Sequence, residues 1–218
     1  MASAEQSRSG GADPLARLVA EQGSGAHPYA RLVDQGPEAA RNLADAVHLI
    51  AMVHGRYPGL MERADAHIAD PASRAWISGA IDCFAAERHL LSRLTAAAGP
   101  MPSTPGARES EAALLAQEQA LAALSESERR GCAFGAAYAL ACDWHAVRAV
   151  LDAAADRFGL EAPAYAPPPE RDAQAPVAEL VESTATRRAF FFGAEQLLLQ
   201  QRGMWDILEA RAQARLDR

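Results

Sequence analysis

The sequence predicts an all-α protein. Half of its residues are apolar, with alanine and leucine, the strongest helix formers, dominating that share, while aromatic residues make up only 6% of the chain. No segment shows the alternation of apolar and polar residues that is typical of a half-buried strand. Stretches with apolar residues at helical spacing are instead separated by glycine and proline. These observations predict a bundle of four long helices plus one shorter helix, with an N-terminal arm.

Residues 1–36 are predicted to form a flexible N-terminal arm. Residues 1–12 are rich in serine, glycine and alanine, a composition typical of disorder. The arm then repeats the sequence Pro-x-Ala-Arg-Leu-Val at residues 14–19 and 28–33. Each copy predicts a short amphipathic turn of helix that is too short to be stable alone. The arm therefore either docks on its own bundle or binds a protein partner.

The helical bundle domain is predicted to span residues 37–218 and to begin with two long helices. The first covers residues 37–69 and is broken or kinked at Gly55 and Pro58. The second covers residues 71–98. It follows an Asp-Pro pair, which is typical of a helix start, and it stops at a Gly-Pro pair.

The second half of the domain is predicted to contain the shorter helix and two more long ones. The shorter helix covers residues 109–124. The Ser-Glu-Ser-Glu sequence at residues 125–128 fits a capping box, so the next helix is predicted over residues 126–158. Residues 162–176 include three consecutive prolines and predict a stiff, polyproline-like strap in place of regular helix. The last helix is predicted over residues 177–216.

Two of the long helices carry residues that predict close packing. The helix over residues 126–158 has small residues that let another helix approach closely. These residues are Gly131, Gly135, Ala136, Ala139 and Cys142. The helix over residues 177–216 carries three consecutive phenylalanines at positions 190–192, which cover more than one face. This last helix is therefore predicted to be central in the bundle or to contact another subunit.

Composition excludes several classes of function. The net charge is −7 and no basic stripe is present, so we expect no nucleic-acid binding. All 21 basic residues are arginine, which excludes chemistry that needs a lysine amine. The three cysteines form no Cys-x-x-Cys motif, and no apolar run is long enough to cross a bilayer. A cytoplasmic protein without membrane contacts is predicted.

Three acidic residues lie on helix faces that are otherwise apolar. Around Glu87, Asp143 and Glu195, the positions three and four residues before and after are all apolar. These acids are therefore predicted to face the core, one on each of three helices. An unpaired buried carboxylate costs several kcal/mol, so each acid needs an arginine, a shared proton or a bound cation as its partner. The candidate arginines are Arg88, Arg148, Arg188 and Arg202.

The first long helix supplies two further candidates, Asp45 and His48, which share a face because they are three residues apart. Together with the three acids above, they give one inward acid per long helix and a nearby imidazole. This arrangement resembles the ferritin-like four-helix-bundle proteins, which hold a dimetal centre with inward carboxylates and histidines. The resemblance covers residues 37–216 and lacks that family's Glu-x-x-His motifs. It implies an iron or manganese site formed by Asp45, His48, Glu87, Asp143 and Glu195.

The sequence contains no catalytic motif of the kind that identifies a reaction. It has no Gly-x-Ser-x-Gly, Gly-x-Gly-x-x-Gly or His-Glu-x-x-His. The leading hypothesis is a non-catalytic binding or regulatory module, with a protein partner or a second copy bound through the arm or through the helix over residues 177–216. The alternative is a ferritin-like metal-binding protein or oxidoreductase. A third hypothesis is a binder of a small apolar ligand in a helix-lined pocket.

Overall fold

The computed structural model describes residues 14–217, which form helices joined by turns and loops. Two short 3-10 turns, Ser24–Ala26 and Tyr29–Arg31, follow the first helix. The α-helices are α1 (Pro14–Gln22), α2 (Ala39–His54), α3 (Leu60–Asp65), α4 (Pro71–Ala98), α5 (Ala107–Ser125), α6 (Cys132–Phe158), α7 (Glu170–Glu182) and α8 (Thr184–Leu216). Residues 14–217 contain no strand, so the all-α prediction is confirmed. None of the described helices is long and apolar enough to cross a membrane.

The helix predicted over residues 37–69 is divided into α2 and α3 at the predicted break. Helix α2 ends at His54, and the chain turns through residues 55–59, which we call loop 55–59. Helix α3 begins at Leu60, where the Glu62 carboxylate accepts a hydrogen bond of 2.8 Å from the backbone N–H of the residue before the helix. The turn directs α3 against α4 and α5.

Helix α4 has the predicted bounds, residues 71–98, and the predicted cap. The Asp70 carboxylate accepts a hydrogen bond of 2.6 Å from the backbone N–H of Ser73, and hydrogen bonds from the side chain and the backbone of Ser73 lower the pKa of Asp70. Pro71 occupies the first turn, where a missing N–H leaves no helical bond unmade. The helix ends at Gly99, whose φ of 74° suits a residue without a side chain.

The capping box predicted at residues 125–128 is wrong. Ser125 is instead the last residue of α5, and its hydroxyl donates a hydrogen bond of 2.8 Å to the carbonyl oxygen of Ala122. This hydroxyl is therefore engaged by the preceding helix. Helix α6 begins only at Cys132, after Gly131 has turned the chain with a φ of 97°.

The strap predicted over residues 162–176 is wrong over residues 170–176, because α7 covers Glu170–Glu182. Pro176 lies inside this helix. A proline inside a helix removes the hydrogen bond to the carbonyl four residues earlier, here that of Asp172, and its ring crowds that carbonyl, so Pro176 weakens α7. The prolines just before α7 stay extended, and Pro169 has the polyproline-like angles φ −57° and ψ 140°.

The helix predicted over residues 177–216 is interrupted at Ser183, which separates α7 from α8. The Ser183 hydroxyl accepts hydrogen bonds of 3.3 and 3.5 Å from the backbone N–H groups of Ala185 and Thr186. Ser183 is thus the N-cap of α8, the longest helix of the chain. Helix α8 packs against α1, α2, α5, α6 and α7 and is central in the fold, as predicted.

Helices α6 and α8 approach each other so closely that their backbones touch. A methyl group on Gly135 of α6 would lie 2.1 Å from the carbonyl oxygen of Phe190. A methyl group on Gly193 of α8 would likewise lie 2.1 Å from the carbonyl oxygen of Cys132. The prediction that α6 allows a close helix contact is therefore confirmed at Gly135, and glycine is required on both helices.

The described part of the arm, residues 14–36, lies against the bundle. The first Pro-x-Ala-Arg-Leu-Val copy forms α1, whereas the second forms the 3-10 turn Tyr29–Arg31. Both copies contact α6 and α8. The buried apolar residues of the arm are Leu15, Tyr29 and Val33. The prediction of disorder for residues 1–12 lies outside the described residues.

Candidate functional site

The first predicted site residue, Asp45, forms an ion pair with two arginines of α8. Its side chain is fully buried. Arg211 donates to both carboxylate oxygens, with Nη2 2.8 Å from Oδ1 and Nε 3.2 Å from Oδ2, and Arg215 donates to Oδ2 as well. In this bidentate ion pair, the guanidinium group binds the carboxylate oxygens that a metal ion would need. Asp45 is therefore satisfied by positive charge from its own chain.

His48 shares a helix with Asp45 but has a different partner. It is half-buried, and its Nε2 lies 2.9 Å from the carbonyl oxygen of Gly99 at the end of α4. Since a carbonyl oxygen only accepts, this Nε2 carries a hydrogen and offers no lone pair to a metal. The bond ties α2 to the C-terminal end of α4.

Glu87 on α4 faces the core as predicted and is paired with Arg148 of α6. Its carboxylate accepts hydrogen bonds from Arg148 Nη1 at 2.6 Å and from Trp144 Nε1 at 2.9 Å. Arg148 also binds Asp152 at 2.7 Å and the backbone carbonyl of Pro163. Burial raises the pKa of Glu87, although the bonds from Trp144 and Arg148 oppose this. Of the four candidate arginines, Arg148 is therefore the one that neutralises a predicted core acid.

Asp143 on α6 also faces the core as predicted, but its partners are neutral. Ser24 in the arm donates twice, from its backbone N–H to Oδ1 and from its hydroxyl to Oδ2, each at 2.6 Å. Gln201 of α8 donates from Nε2 to Oδ2 at 3.3 Å. The carboxylate is 1% exposed, and burial raises the pKa of Asp143 while these bonds oppose it. The carboxylate thus binds the arm inside the bundle, in addition to the buried apolar residues of the arm.

The prediction that Glu195 faces the core is wrong, because this residue is exposed. Its apolar neighbours do not all belong to the core: Phe192 is 42% exposed and Leu199 is 56% exposed. The side of α8 that faces the core is instead marked by the fully buried Phe190 and Leu197. The pattern of apolar neighbours therefore has two meanings. At Glu195 it marks an exposed apolar patch, whereas at Glu87 and Asp143 it marks a core position.

The structure does not bring the five predicted metal ligands together. Asp45 and Glu87 contact separate arginines, while Asp143 contacts the arm. Among residues 14–217, one group of three or more potential metal ligands has ligand atoms within 4.8 Å of one another, and it contains none of the five. Its members are His27, Asp206 and Glu209.

The histidine of this group is buried, and both of its ring nitrogens are engaged by hydrogen bonds. Its Nδ1 accepts a hydrogen bond of 3.2 Å from the backbone N–H of Tyr29. The neutral ring of His27 therefore carries its hydrogen on Nε2, which lies 2.9 Å from Asp206 and donates to it. This leaves no free lone pair on His27 for a metal ion.

Two residues that the sequence reasoning did not single out, Gln201 and His54, continue the hydrogen bonds of Asp143 through the core. The Gln201 Oε1 lies 2.8 Å from His54 Nε2. Because the Asp143 carboxylate at the other end only accepts, the amide of Gln201 must present Nε2 to Asp143 and Oε1 to His54. We call the connected residues Ser24, Asp143, Gln201 and His54 the core polar chain.

This orientation also fixes the chemistry of His54. Its Nε2 must carry the hydrogen, so Nδ1 keeps a free lone pair. Burial lowers the pKa of His54 to about 4, although the bond to Gln201 opposes this, so the ring is neutral at pH 7. The ring packs edge-on against Trp144, with centroids 5.2 Å apart. The core polar chain thus ends at a neutral hydrogen-bond acceptor, Nδ1 of His54.

Gln201 carries a signal that sequence reasoning could have used. The positions three and four residues away, Leu197, Leu198, Met204 and Trp205, are all apolar and are all fully buried. The same test that located Glu87 and Asp143 would have located this amide. Apolar neighbours at helical spacing therefore indicate a buried amide as well as a buried acid.

His54 lines a cavity beside loop 55–59, which we call the His54 cavity. Helices α3, α4 and α5 contribute further walls, with Met61, Phe84 and Leu121 among the apolar lining residues. The charged lining residues are Arg56, Arg63, Arg88 and Glu118. The cavity is partly open to solvent, and its volume of about 20 Å³ is enough for one water-sized group. The core polar chain therefore joins this cavity to the arm.

The fold and this site define the protein as an all-α bundle whose core carboxylates are satisfied internally and whose arm is bonded into a buried polar chain. The chain belongs to a family of unknown function, DUF6975, whose model matches residues 19–216. No curated protein and no solved structure matches the chain.

We expect His54 to make the fold less stable as the pH falls. Because the folded-state pKa lies below the ordinary value of 6.5, protonation favours the unfolded chain, and stability present above pH 6.5 is lost as the pH falls toward 4. A difference between these two values corresponds to roughly 3 kcal/mol. Urea unfolding of the wild type and of His54→Gln at pH 7 and pH 4.5 would measure this loss.

The His54→Gln variant should lose clearly less stability between those pH values than the wild type. Asp143 and Glu87 have raised pKa values, so they favour the folded state at low pH and oppose the effect of His54. Both acids are present in both proteins, and so are Arg56, Arg63, Arg88 and Glu118 around the cavity. An equal loss in the two proteins would therefore mean that His54 does not carry the effect.

Proposed function

We propose that this protein is a non-catalytic regulatory binding module, in which a ligand in the His54 cavity changes how firmly the arm is docked. The core polar chain is the observation that supports this proposal. It runs without a gap from Ser24 in the arm, through Asp143 of α6 and Gln201 of α8, to His54 at the end of α2. The cavity and the arm are thus two places on the protein that share one hydrogen-bond network.

The chain can transmit a change because each of its members has one available orientation. Asp143 only accepts, so it determines which way the Gln201 amide points, and Gln201 in turn determines which ring nitrogen of His54 carries the hydrogen. A ligand that donates to His54 Nδ1 polarises the ring and strengthens the bond from Nε2 to Gln201. We therefore expect a bound ligand to hold the arm more firmly.

The surroundings of the core acids favour this function over the ferritin-like alternative. Asp45 and Glu87 are each neutralised by arginine, and the carboxylate of Asp143 is occupied by the arm. A dimetal site would need these oxygens to converge on shared ions. Iron, manganese or zinc in protein purified without chelators would restore the metal-binding hypothesis.

A protein partner or a second copy of the chain remains part of the proposal. The apolar surface formed by Phe192 and Leu199 on α8 supports a contact there, since both side chains are substantially exposed. The arm is the other surface at which a partner is predicted to bind, because the core polar chain controls how the arm is docked. We also retain the cytoplasm as the proposed location, on the basis of cysteine content and composition.

Replacing Gln201 by methionine, which is similar in size, tests the proposed function. The variant removes one donor from Asp143 and the acceptor of His54, and it should weaken the docking of the arm. We expect backbone amides of residues 14–36 to exchange with deuterium about five times faster, which corresponds to about 1 kcal/mol of lost local stability. Native-state exchange measured by mass spectrometry would detect this.

Gln200→Met is the matched control for that experiment. Gln200 is adjacent in sequence but half-buried, and it lines a separate groove between α5 and α8. This variant should leave exchange in the arm unchanged. Faster exchange in the arm and in α6 alike would indicate general destabilisation. Wild-type exchange of the arm in Gln201→Met would contradict the proposed function.

A further inference from the structure

The lining of the His54 cavity includes three guanidinium groups and one carboxylate, that of Glu118. Arg56 Nη1 lies 3.7 Å from one oxygen of Glu118, and Arg63 Nη2 lies 3.5 Å from the other. Two guanidinium groups therefore share one carboxylate. Glu126 lies 3.9 Å from Arg63 Nε, but it is 55% exposed and does not line the cavity. Within the cavity lining, Arg56 and Arg63 thus share the single carboxylate of Glu118.

These contacts are also too long to satisfy the guanidinium donors. A well-formed N–H···O bond spans about 2.7–3.2 Å, and each guanidinium group has five N–H donors in a fixed fork. Arg88 differs, because it binds both oxygens of Glu62 and is 13% exposed. Arg56 and Arg63, by contrast, keep donors available for an oxygen ligand, and Arg63 is only 22% exposed.

His54, another lining residue of the cavity, has the opposite hydrogen-bonding character. It is a neutral ring whose Nδ1 accepts, as the core polar chain requires. The cavity volume of about 20 Å³ admits one group of the size of water or a hydroxyl. The residues that line the cavity therefore include guanidinium donors, which suit an anion, and one ring that can accept a hydrogen bond from a hydroxyl group.

We infer that the His54 cavity binds a small oxyanion that carries its own hydroxyl group. The anionic oxygens bind Arg56 and Arg63, and the hydroxyl donates to Nδ1 of His54. Two kinds of compound share this chemistry, namely hydrogen phosphate and 2-hydroxycarboxylates. The inference names the ligand class for the cavity and thus rests on the proposed function.

Isothermal titration calorimetry on the full chain tests the inference with two matched pairs of probes. Phosphate and sulfate differ in the hydroxyl group, as do glycolate and acetate. We expect phosphate or glycolate to bind, and its partner without a hydroxyl to bind at least tenfold more weakly. Binding of phosphate would identify the ligand as a hydrogen phosphate, and binding of glycolate would identify it as a 2-hydroxycarboxylate. No heat of binding from any probe up to about 10 mM would overturn the inference.

Two arginine variants locate the binding site. Arg63→Gln and Arg56→Gln should each raise Kd about tenfold, since a hydrogen bond to a charged group is lost. Arg56 is 63% exposed, so its variant should fold even if Arg63→Gln does not. Arg41→Gln is the control, because Arg41 is an exposed arginine paired with Glu38 at 3.2 Å and lies outside the cavity. Unchanged affinity in both cavity variants would contradict the inference.

The test separates this inference from the proposed function. Binding of phosphate or glycolate with no change in exchange of residues 14–36 would support the ligand class and contradict the coupling to the arm. Faster exchange of the arm in Gln201→Met, together with no binding of any probe, would support the coupling and contradict the ligand class.

Discussion

Gly193→Ala is expected to lower the free energy of unfolding by about 3 kcal/mol or to prevent folding. The added methyl group would lie 2.1 Å from the carbonyl oxygen of Cys132 and 3.1 Å from the backbone nitrogen of Ala136. Because these atoms belong to the backbone of α6, no side chain can rotate away. Helices α6 and α8 would have to separate along the most extensive helix–helix contact of the described residues. Urea unfolding followed by circular dichroism would measure the loss.

Gly203→Ala is the matched control on the same helix. Its methyl group would lie 2.7 Å from Nε2 of Gln117, at the flexible end of a side chain that can move. Alanine also favours helix over glycine by about 1 kcal/mol. We therefore expect Gly203→Ala to be neutral or stabilising. Similar destabilisation of the two variants would mean that contact between the backbones of α6 and α8 does not explain the need for Gly193.

Arg148→Met is expected to destabilise the protein by about 3–5 kcal/mol at pH 7, because it leaves a buried carboxylate without a counter-charge. Glu87 is 2% exposed, and Trp144 would be its remaining partner among the residues that bind it now. The loss should be smaller at pH 5, where Glu87 more readily takes up a proton. Unfolding curves at the two pH values would measure both effects.

The double variant Glu87→Gln with Arg148→Met is the control for this prediction. Glutamine keeps an acceptor for Trp144 but carries no charge, and the contacts of Arg148 with Asp152 and Pro163 are lost in both variants. The double variant should therefore recover at least about 2 kcal/mol relative to Arg148→Met. A double variant that is no more stable than Arg148→Met would show that the loss of the Glu87–Arg148 ion pair does not explain the destabilisation.

Much of the fold could be predicted from the sequence, because local signals determine many helix ends. The Asp70 cap and the break at Gly55 are examples in which side-chain or backbone chemistry acts within a few residues. The start of α6 could not be predicted this way. Ser125 has the right identity for a cap, but its hydroxyl bonds backward to α5, and which of two adjacent helices uses a hydroxyl is decided by tertiary packing.

The candidate site could be predicted only in part. Apolar neighbours correctly placed Glu87 and Asp143 in the core, yet the same pattern failed at Glu195, because an apolar helix face can also lie at the surface. The partners of the acids were harder to predict. Ser24 is 119 residues from Asp143 in sequence, and Arg211 is 166 residues from Asp45, so no local pattern connects them.

The exchange rate of the Ser24 backbone amide in a His54→Leu variant tests the central claim most directly. This amide donates to Asp143, whereas His54 contacts the core polar chain at the other end, through Gln201. We predict that the amide exchanges about fivefold faster in His54→Leu, as expected for the loss of about 1 kcal/mol, and unchanged in the control His48→Leu. A Ser24 amide that exchanges at the wild-type rate in His54→Leu would contradict the coupling between cavity and arm.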